Sequence, residues 1–347
     1  MKALIYHDVE KLSLDEISRP RVGAKDVLVK VMRAGICGSD ITAYLYDGQG
    51  VGILKKGQFG HDGQFGHEMS GLIVEVGPDV EDISIGDRVF VNPTRAKKMG
   101  MMACDICGGF SEYVTIENAK YGDNLFKLAA TISYDEGVLM EPLSVGTHAK
   151  NLIEFKPQEN AVIFGAGPIG LLTLASLVAM GCKNPVVIDL NDDRLAIAKQ
   201  MGAKTINSAK VTDLEAELVA HFGEYTDIFG RKKADVDGYF ECSGASVVVK
   251  QILALAKDGS RLAIVAVHKH PLTDFDIASI TSNQLTIKGV RGYTLADVKE
   301  AVTCVNEHKV DVTKVISHHF KHNDSIAAFE LAANPKVASA KVIIDYE

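Results

Sequence analysis

The sequence has few of the features that mark membrane-inserted, nucleic-acid-binding or disulfide-stabilised proteins. No apolar run approaches the roughly 18 residues that a membrane-spanning helix needs. Lysine and arginine number 37 against 45 acidic residues, and the net charge of −8 argues against a nucleic-acid partner, because phosphate binding needs a basic surface. Six cysteines in 347 residues do not make a disulfide framework. We therefore expect neither a membrane nor a nucleic-acid partner.

The start of the chain also lacks the layout of a secretory signal peptide. Residues 2–6 read directly as a short strand, without a charged segment followed by an apolar one. Together with the cysteine content, this pattern favours a cytoplasmic protein. The length is sufficient for two domains, each with a sizeable core.

A strand, a glycine turn, a helix, a second strand and an acid follow one another between residues 161 and 189. The apolar run 161–164 leads into Gly165-Ala166-Gly167-Pro168-Ile169-Gly170, and a helical segment then ends at Gly181. Gly165 permits the tight turn, Gly167 lets the backbone approach a pyrophosphate, and Gly170 lets the helix pack closely. The helix N-terminus offers free N–H groups to the phosphates. This order predicts a dinucleotide site, with a purely structural turn as the alternative.

The second strand of this unit ends on Asp189, 19 residues after Gly170. A carboxylate at this place accepts hydrogen bonds from both hydroxyls of an adenosine ribose. The same charge repels the additional phosphate of NADP, so the sequence predicts NAD as the cofactor.

The pattern of short strands changes along the chain and indicates two domains. Residues 1 to about 115 contain short strands between glycine turns, clearest at 27–31 and 71–77, which is typical of a β-barrel-like domain. From 161 to about 290, six strands alternate with helices and predict a doubly wound parallel sheet. The fold class is therefore α/β. The final strand, 341–345, is free to pack back on the first domain.

Three stretches of the chain carry the residue types that bind zinc. Residues 35–40 contain Cys37, residues 66–71 contain His67 and Glu68, and residues 140–146 contain Glu141. A catalytic zinc site uses three protein ligands and keeps one position open. Taken singly, Cys37 is equally compatible with a buried thiol and His67 with a hydrogen-bonded surface residue.

Together with the nucleotide unit, these motifs resemble the zinc-dependent medium-chain alcohol and polyol dehydrogenases over essentially the whole chain. The sorbitol, threonine and butanediol dehydrogenase branch is the nearest match. The resemblance implies a GroES-like β-rich catalytic domain over residues 1–145, completed by 292–347. It implies a Rossmann NAD-binding domain over 146–291. It also implies one catalytic zinc per subunit, NAD, a small-molecule alcohol substrate and a homodimer or homotetramer.

The resemblance assigns roles to individual residues. It makes Cys37 and His67 zinc ligands, and it lets Glu68 and Glu141 share the remaining position, one directly and the other directly or through water. It makes Ser39 the group through which the proton leaves, so that the catalytic set is Ser39, Glu68 and Glu141. The cofactor contacts that it implies are Gly165, Gly167, Pro168, Ile169, Gly170, Asp189 and Arg194, the last over the adenine.

Two departures from the family pattern change what is expected. The interval that usually holds four cysteines and a structural zinc holds only Cys104 and Cys107 here, too few for a closed site, so we expect free thiols and no second zinc. Thr42 stands where relatives often have a histidine that passes the proton to solvent, and a threonine cannot buffer a proton near neutral pH. The relay beyond Ser39 is then expected to use the cofactor ribose and water.

An internal repeat offers two candidates for the histidine ligand. Residues 57–62 and 63–68 have nearly the same sequence, and they contain His61 and His67 respectively. The second copy leads directly into the strand at 71–76, as in the family, so the sequence favours His67.

The prediction of the substrate class depends on residues 288–293. This segment is similar to the corresponding stretch of butanediol dehydrogenases, whereas sorbitol dehydrogenases place an arginine where Gly292 stands. The expected substrate is a small vicinal diol or hydroxyketone, such as 2,3-butanediol and acetoin. The alternatives are a polyol, a polyol phosphate or threonine. A metal-free nucleotide-binding relative without enzymatic activity is the alternative from another class.

Overall fold

The computed structural model of the protein describes residues 1–46, 63–96, 108–268, 272–273 and 275–347. They form two compact units, each with its own core. The first unit contains Met1–Glu141, Val305–Glu307 and Ile316–Glu347, and the second contains Pro142–Cys304 and His308–Val315. Within the described part of the chain, no helix is long and apolar enough to cross a membrane.

The described part of residues 1–138 contains seven strands and two helices. In chain order the elements are β1 (Lys2–Asp8), β2 (Lys11–Glu16), β3 (Val27–Gly35), α1 (Gly38–Leu45), β4 (Glu68–Val76), β5 (Arg88–Val91), β6 (Tyr113–Ile116), β7 (Leu125–Lys127) and α2 (Tyr134–Val138).

Helices and strands then alternate up to residue 306. The elements are α3 (Met140–Leu152), β8 (Ala161–Phe164), α4 (Pro168–Ala179), β9 (Val186–Asp189), α5 (Asp192–Gln200), β10 (Lys204–Asn207), α6 (Leu214–Phe222), β11 (Glu224–Thr226), β12 (Lys232–Ala234), β13 (Gly238–Glu241), α7 (Ser246–Leu255), β14 (Arg261–Ile264), α8 (Ile277–Ser282), β15 (Thr286–Gly289) and α9 (Leu295–Asn306).

The C-terminal part contains two strands of the first unit. Its elements are a 3₁₀ turn (Val312–Val315), β16 (Ile316–Lys321), a second 3₁₀ turn (His322–Asp324), α10 (Ser325–Ala333) and β17 (Lys341–Asp345).

The main sheet of the first unit brings three strands together at Gly35. Its described strands follow the order β16-β17-β3-β4-β5-β7, and β6 pairs with β3. β3 runs antiparallel to β4 with Gly35 opposite Glu68, and β17 runs antiparallel to β3 with Ile343 opposite Gly35. Residues from three distant parts of the sequence are thus placed side by side.

The core beside this sheet is built from alternate strand residues and an aromatic cluster. Val27, Val29 and Val31 of β3 are completely buried, as the period of two predicts for one face of a strand. The rings of Phe65, Phe110 and Phe329 meet edge to face, with centroids 4.9–5.5 Å apart.

The second unit contains the parallel sheet that the sequence predicts. Its six described strands follow the order β10-β9-β8-β13-β14-β15, and all neighbours are parallel. This is the doubly wound order, in which the connections change direction between β8 and β13. Ligands of such sheets bind outside the carboxyl ends of the strands at this switch point. The predicted fold class is confirmed.

Two features of the second unit differ from what the sequence suggested. The predicted boundary assigned residues 292–347 to the first domain, but most of α9 groups with the second unit. The reason is a polar network, in which Asp297 lies 2.9 Å from His148 and Glu300 lies 2.6 Å from Lys150. The antiparallel pair of β11 and β12 before β13 was not predicted either.

Candidate active site

Cys37 stands at the junction between β3 and α1. It is the N-cap residue of α1, and its backbone N–H donates to Asp40 Oδ2 at 2.9 Å. Gly35, two residues earlier, has no room for a side chain, because a Cβ there would lie 2.1 Å from Glu68 Oε2. The glycine allows the Glu68 carboxylate to lie against the end of β3, next to Cys37.

His67 and Glu68 enter the same place from the start of β4. The pairing of Gly35 with Glu68 fixes their position relative to Cys37. One ligand atom each of Cys37, His67 and Glu68 lies within 4.8 Å of the others, and His67 and Glu68 are buried. The structure therefore brings three of the four predicted ligands together, and they are of the types that bind zinc.

Asp40 influences the charge of His67. Its Oδ1 lies 3.6 Å from His67 Nδ1, and the side chain is completely buried. Burial raises the pKa of Asp40 to about 6, against the opposing effect of His67. Burial alone would lower the pKa of His67, but the charges of Asp40 and Cys37 raise it well above its ordinary value.

Glu141 stands at the start of α3 and is also buried. It is outside the 4.8 Å group formed by Cys37, His67 and Glu68 in the described chain. Its charge still acts on the site, since it helps to raise the pKa of His67. Of the two glutamates predicted to share a ligand position, Glu68 is therefore the one placed among the ligand atoms.

Ser39 and Thr42 lie on α1 and differ in how their hydroxyls are used. Ser39 Oγ is buried and has no hydrogen-bond partner among the described residues. Thr42 Oγ1 donates to the carbonyl of Gly38 at 2.9 Å, within its own helix. The hydroxyl proton of Thr42 is thus already donated to a backbone carbonyl, whereas Ser39 Oγ is not hydrogen-bonded to any described residue.

The glycine turn after β8 has the contacts that the sequence pattern requires. Gly165 has a φ of 102°, in the region that favours glycine. A Cβ on Gly170 would lie 1.8 Å from the carbonyl oxygen of Gly165, so only glycine lets α4 approach the turn this closely. Gly167, the N-cap of α4, faces open space. The open side of the turn is therefore at the helix N-terminus, where phosphates bind.

Asp189 supports this turn from the end of β9. Its Oδ2 accepts a hydrogen bond from the N–H of Ala166 at 2.6 Å, and its Oδ1 accepts one from the N–H of Asn191 at 2.8 Å. Asn191 is the N-cap residue of α5, and its side-chain Oδ1 accepts a hydrogen bond from the N–H of Arg194 at 3.0 Å. Each carboxylate oxygen keeps a further lone pair, so Asp189 can still accept hydrogen bonds from a ligand.

Comparison with known proteins decides the family. Residues 23–127 match the model of the alcohol dehydrogenase GroES-like domain, and residues 168–337 match that of the zinc-binding dehydrogenases. Sorbitol dehydrogenase 1 of Saccharomyces cerevisiae is 34% identical over 344 residues, which cover 94% of this chain and 93% of that protein. The chain belongs to the zinc-dependent medium-chain alcohol and polyol dehydrogenases. The predicted family is confirmed, and the dehydrogenase is an oxidoreductase.

Solved structures of related enzymes have the fold of this dehydrogenase. The crystal structure of 2R,3R-butanediol dehydrogenase from Bacillus subtilis matches with a TM-score of 0.85 and 27% identity, covering 100% of this chain and 99% of that one. An alcohol dehydrogenase from Escherichia coli CFT073, solved with NADH, matches with a TM-score of 0.81 and 25% identity, at 100% and 99% coverage.

The site of the dehydrogenase is chemically suited to zinc. A thiol, an imidazole and a carboxylate form a donor set that zinc prefers, and three protein ligands leave one position for a substrate oxygen. Ser39, two residues after Cys37, has a buried Oγ without a hydrogen-bond partner among the described residues. His61, Cys104 and Cys107 lie outside the described residues.

One site residue of the dehydrogenase was missed by the sequence analysis. Lys341, the first residue of β17, is buried, and its Nζ lies 2.7 Å from both carboxylate oxygens of Glu68. Burial alone would lower the pKa of Lys341, but Glu68 and Cys37 raise it. A lysine at the start of an apolar strand is a weak signal, and nothing in the spacing connects it to a residue 273 positions away.

Proposed function

We propose that this protein is an NAD-dependent zinc dehydrogenase that interconverts a small secondary alcohol and its ketone. The preferred pair is a vicinal diol and a hydroxyketone, such as 2,3-butanediol and acetoin. The alternative is a polyol or polyol phosphate, with threonine as a further candidate. The observation that carries the proposal is the group of Cys37, His67 and Glu68, in which His67 and Glu68 are buried and Cys37 is half-buried.

Cys37, His67 and Glu68 would hold the zinc, and the charge of Glu141 acts on His67. Bound zinc supplies a Lewis acid for the negative charge that develops on a substrate oxygen. The carboxylate of Asp40 lies 3.6 Å from the imidazole of His67 and favours its charged form, and Lys341 compensates the charge of Glu68. These contacts hold the donor set in place in a buried environment, where ligand geometry depends on the surrounding hydrogen bonds.

Ser39 is the residue that we assign to proton transfer. Its Oγ is the buried hydroxyl that lacks a partner within the described chain, and a serine hydroxyl both donates and accepts. During oxidation it would accept the proton of the substrate hydroxyl and pass on its own. The hydroxyl of Thr42 donates its proton to the carbonyl of Gly38 in a hydrogen bond. This supports a proton path that does not continue through Thr42.

The second unit would bind NAD at the glycine turn after β8. Bound NAD supplies the hydride acceptor. Gly165, Gly167 and Gly170, with Pro168 and Ile169 between them, shape the phosphate end, and Asp189 is placed to accept ribose hydroxyls with its remaining lone pairs. Its negative charge supports the choice of NAD over NADP. Arg194 is assigned to the adenine.

The conformation of Gly292 supports a small diol over a polyol. Gly292 has a φ of 58°, in the left-handed region that residues with a side chain adopt at a cost. The arginine that sorbitol dehydrogenases place at the corresponding position would be strained here. The backbone as well as the sequence therefore disfavours a polyol-binding arginine.

An activity screen tests the proposal. The purified protein, with its zinc content measured in parallel, is assayed with NAD and with NADP on 2,3-butanediol isomers, sorbitol, xylitol, threonine and ethanol. We expect oxidation of a vicinal diol with NAD and about one zinc per chain. Faster turnover of sorbitol or xylitol would favour the polyol alternative. Protein without zinc and without activity on any alcohol would contradict the proposal and favour a nucleotide-binding relative.

We also propose that the enzyme is a homodimer or homotetramer in the cytoplasm. The family resemblance supports this assembly. Among the described strands of the parallel sheet, β15 is an edge strand and is available for pairing with a second copy. Light scattering of the purified protein gives its mass, and a monomer would contradict the proposal.

A further inference from the structure

Glu241 and His268 form a hydrogen-bonded pair at the carboxyl edge of the parallel sheet. Glu241 ends β13, and its side chain is completely buried. Its Oε1 accepts hydrogen bonds from the N–H groups of Ser243 and Gly244, at 2.8 and 2.9 Å, and from Ser243 Oγ at 2.5 Å. Its Oε2 lies 2.8 Å from Nε2 of His268. In the tautomer whose Nε2–H donates to this carboxylate oxygen, Nδ1 is an acceptor.

Backbone contacts place this pair next to the glycine turn. The N–H groups of Val265 and Ala266, which follow β14, donate to the carbonyl of Glu241 at 2.9 and 3.1 Å. A Cβ on Gly165 would lie 2.9 Å from the N of Ser243, so the segment after β13 lies directly against the turn after β8. The segments after β8, β13 and β14 are therefore neighbours along one edge of the sheet.

The internal repetition of the sheet gives the pair a counterpart. A doubly wound sheet of this order consists of two mononucleotide-binding halves, here β8-β9-β10 and β13-β14-β15, and a dinucleotide lies across both. Asp189 ends the second strand of the first half, where the adenosine ribose binds. His268 follows the second strand of the other half. It lies three residues beyond Val265, the position that matches Asp189 in the strand register, and so on the nicotinamide side of the sheet edge.

We propose that His268, oriented by Glu241, binds a hydroxyl of the nicotinamide ribose. The side chain of His268 is 20% exposed, so it is accessible to a ligand while its Nε2 remains bonded to Glu241. Nδ1 has no hydrogen-bond partner in the described part of the chain and is available to accept from the ribose. This inference rests on the proposed use of a nicotinamide dinucleotide, and it adds a binding residue for the second half of that cofactor.

Affinities for three nucleotides separate this role from a purely structural tie between loops. ADP contains only the adenosine half, ADP-ribose adds the terminal ribose, and NADH adds the nicotinamide ring. Each is titrated into the zinc-loaded full-length protein by calorimetry. For His268→Ala we expect about tenfold weaker binding of NADH and of ADP-ribose, the usual effect of one lost hydrogen bond, and unchanged binding of ADP.

Two further variants show which ring nitrogen matters. His268→Asn keeps a polar group near the position of Nδ1 and loses the contact with Glu241, whereas His268→Gln keeps a polar group near Nε2 and loses the one at Nδ1. We expect His268→Asn to restore most of the affinity for ADP-ribose and His268→Gln to restore little. Rescue by glutamine alone would overturn the proposal, because the contact with Glu241 would then be what matters.

Other outcomes identify what has failed. If wild-type protein does not bind NADH, the proposed cofactor is wrong. If it binds NADH and His268→Ala binds NADH and ADP-ribose equally well, only the ribose assignment is overturned. If His268→Ala weakens ADP as much as NADH, the substitution acts on the whole sheet edge, and the assignment is overturned as well.

Discussion

Lys341 Nζ lies at equal distances of 2.7 Å from the two carboxylate oxygens of Glu68, and both side chains are buried. The ammonium also donates to the carbonyl of Ile36 at 3.1 Å. Burying two charges is costly unless they are well paired and hydrogen-bonded, and this pair satisfies both conditions. The lysine therefore compensates the buried charge of Glu68 and joins β17 to the start of β4.

Replacing Lys341 by methionine should destabilise the metal-free protein. The substitution leaves Glu68 buried without its partner, and breaking such a pair typically costs about 3–5 kcal/mol of the free energy of unfolding. Urea denaturation in the presence of a chelator measures the loss. Lys321→Met is the matched control, because the Lys321 side chain is 62% exposed and 3.9 Å from Asp345; its effect should stay within about 1 kcal/mol. Equal effects of the two substitutions would show that the buried pair has no special importance.

Glu68 and Glu141 should differ in their effect on zinc. Glu68→Gln removes a charged donor from the group within 4.8 Å and should lower the zinc affinity strongly, whereas Glu141→Gln should keep about one zinc per chain. Both variants retain the side-chain volume. Competition with a chromophoric chelator gives the affinities, and His67→Ala serves as the metal-free reference. If Glu141→Gln lost zinc and Glu68→Gln kept it, the ligand assignment would have to be exchanged.

Ser39→Ala should slow alcohol oxidation about 100-fold or more, the contribution expected of a positioned proton acceptor. Zinc and cofactor binding should remain, since the Oγ of Ser39 has no partner among the described residues whose position would change. Thr42→Val is the control on the same helix and should retain most of the rate, because the Thr42 hydroxyl is bonded to Gly38. Steady-state rates with parallel zinc analysis test this, and near-normal turnover of Ser39→Ala would refute the assignment.

Asp189→Asn should weaken NADH binding about tenfold and reduce the preference for NADH over NADPH. The substitution removes the charge that favours ribose hydroxyls over a phosphate, and it also weakens the hydrogen bonds to the backbone of Ala166 and Asn191. Asp192→Asn controls for the loss of a nearby charge, because Asp192 is paired with Lys210 at the surface. Fluorescence titration with both reduced cofactors gives the dissociation constants. A wild-type protein that binds NADPH as tightly as NADH would contradict the role given to Asp189.

The sequence determined the elements whose signals are local. The apolar run at 161–164, the three glycines and the acid at 189 are consecutive, and the backbone requirements of Gly165 and Gly170 are visible in their spacing. The order of strands and helices from 161 to 290 was sufficient to predict the parallel sheet, because crossover connections of such units follow a fixed hand. The residue types at 37, 67 and 68 likewise indicated zinc chemistry before their distances were known.

The tertiary structure decided everything that depends on residues far apart in sequence. Lys341 reaches Glu68 only because β17 pairs with β3, and His268 reaches Glu241 only because β14 lies beside β13. It also placed α9 with the second unit, through contacts of Asp297 and Glu300 with α3. Side-chain pairing across strands follows from register, and register is set by the whole sheet rather than by any one segment. Local patterns therefore indicated the reacting groups, and long-range strand pairing supplied the charged partners that hold them.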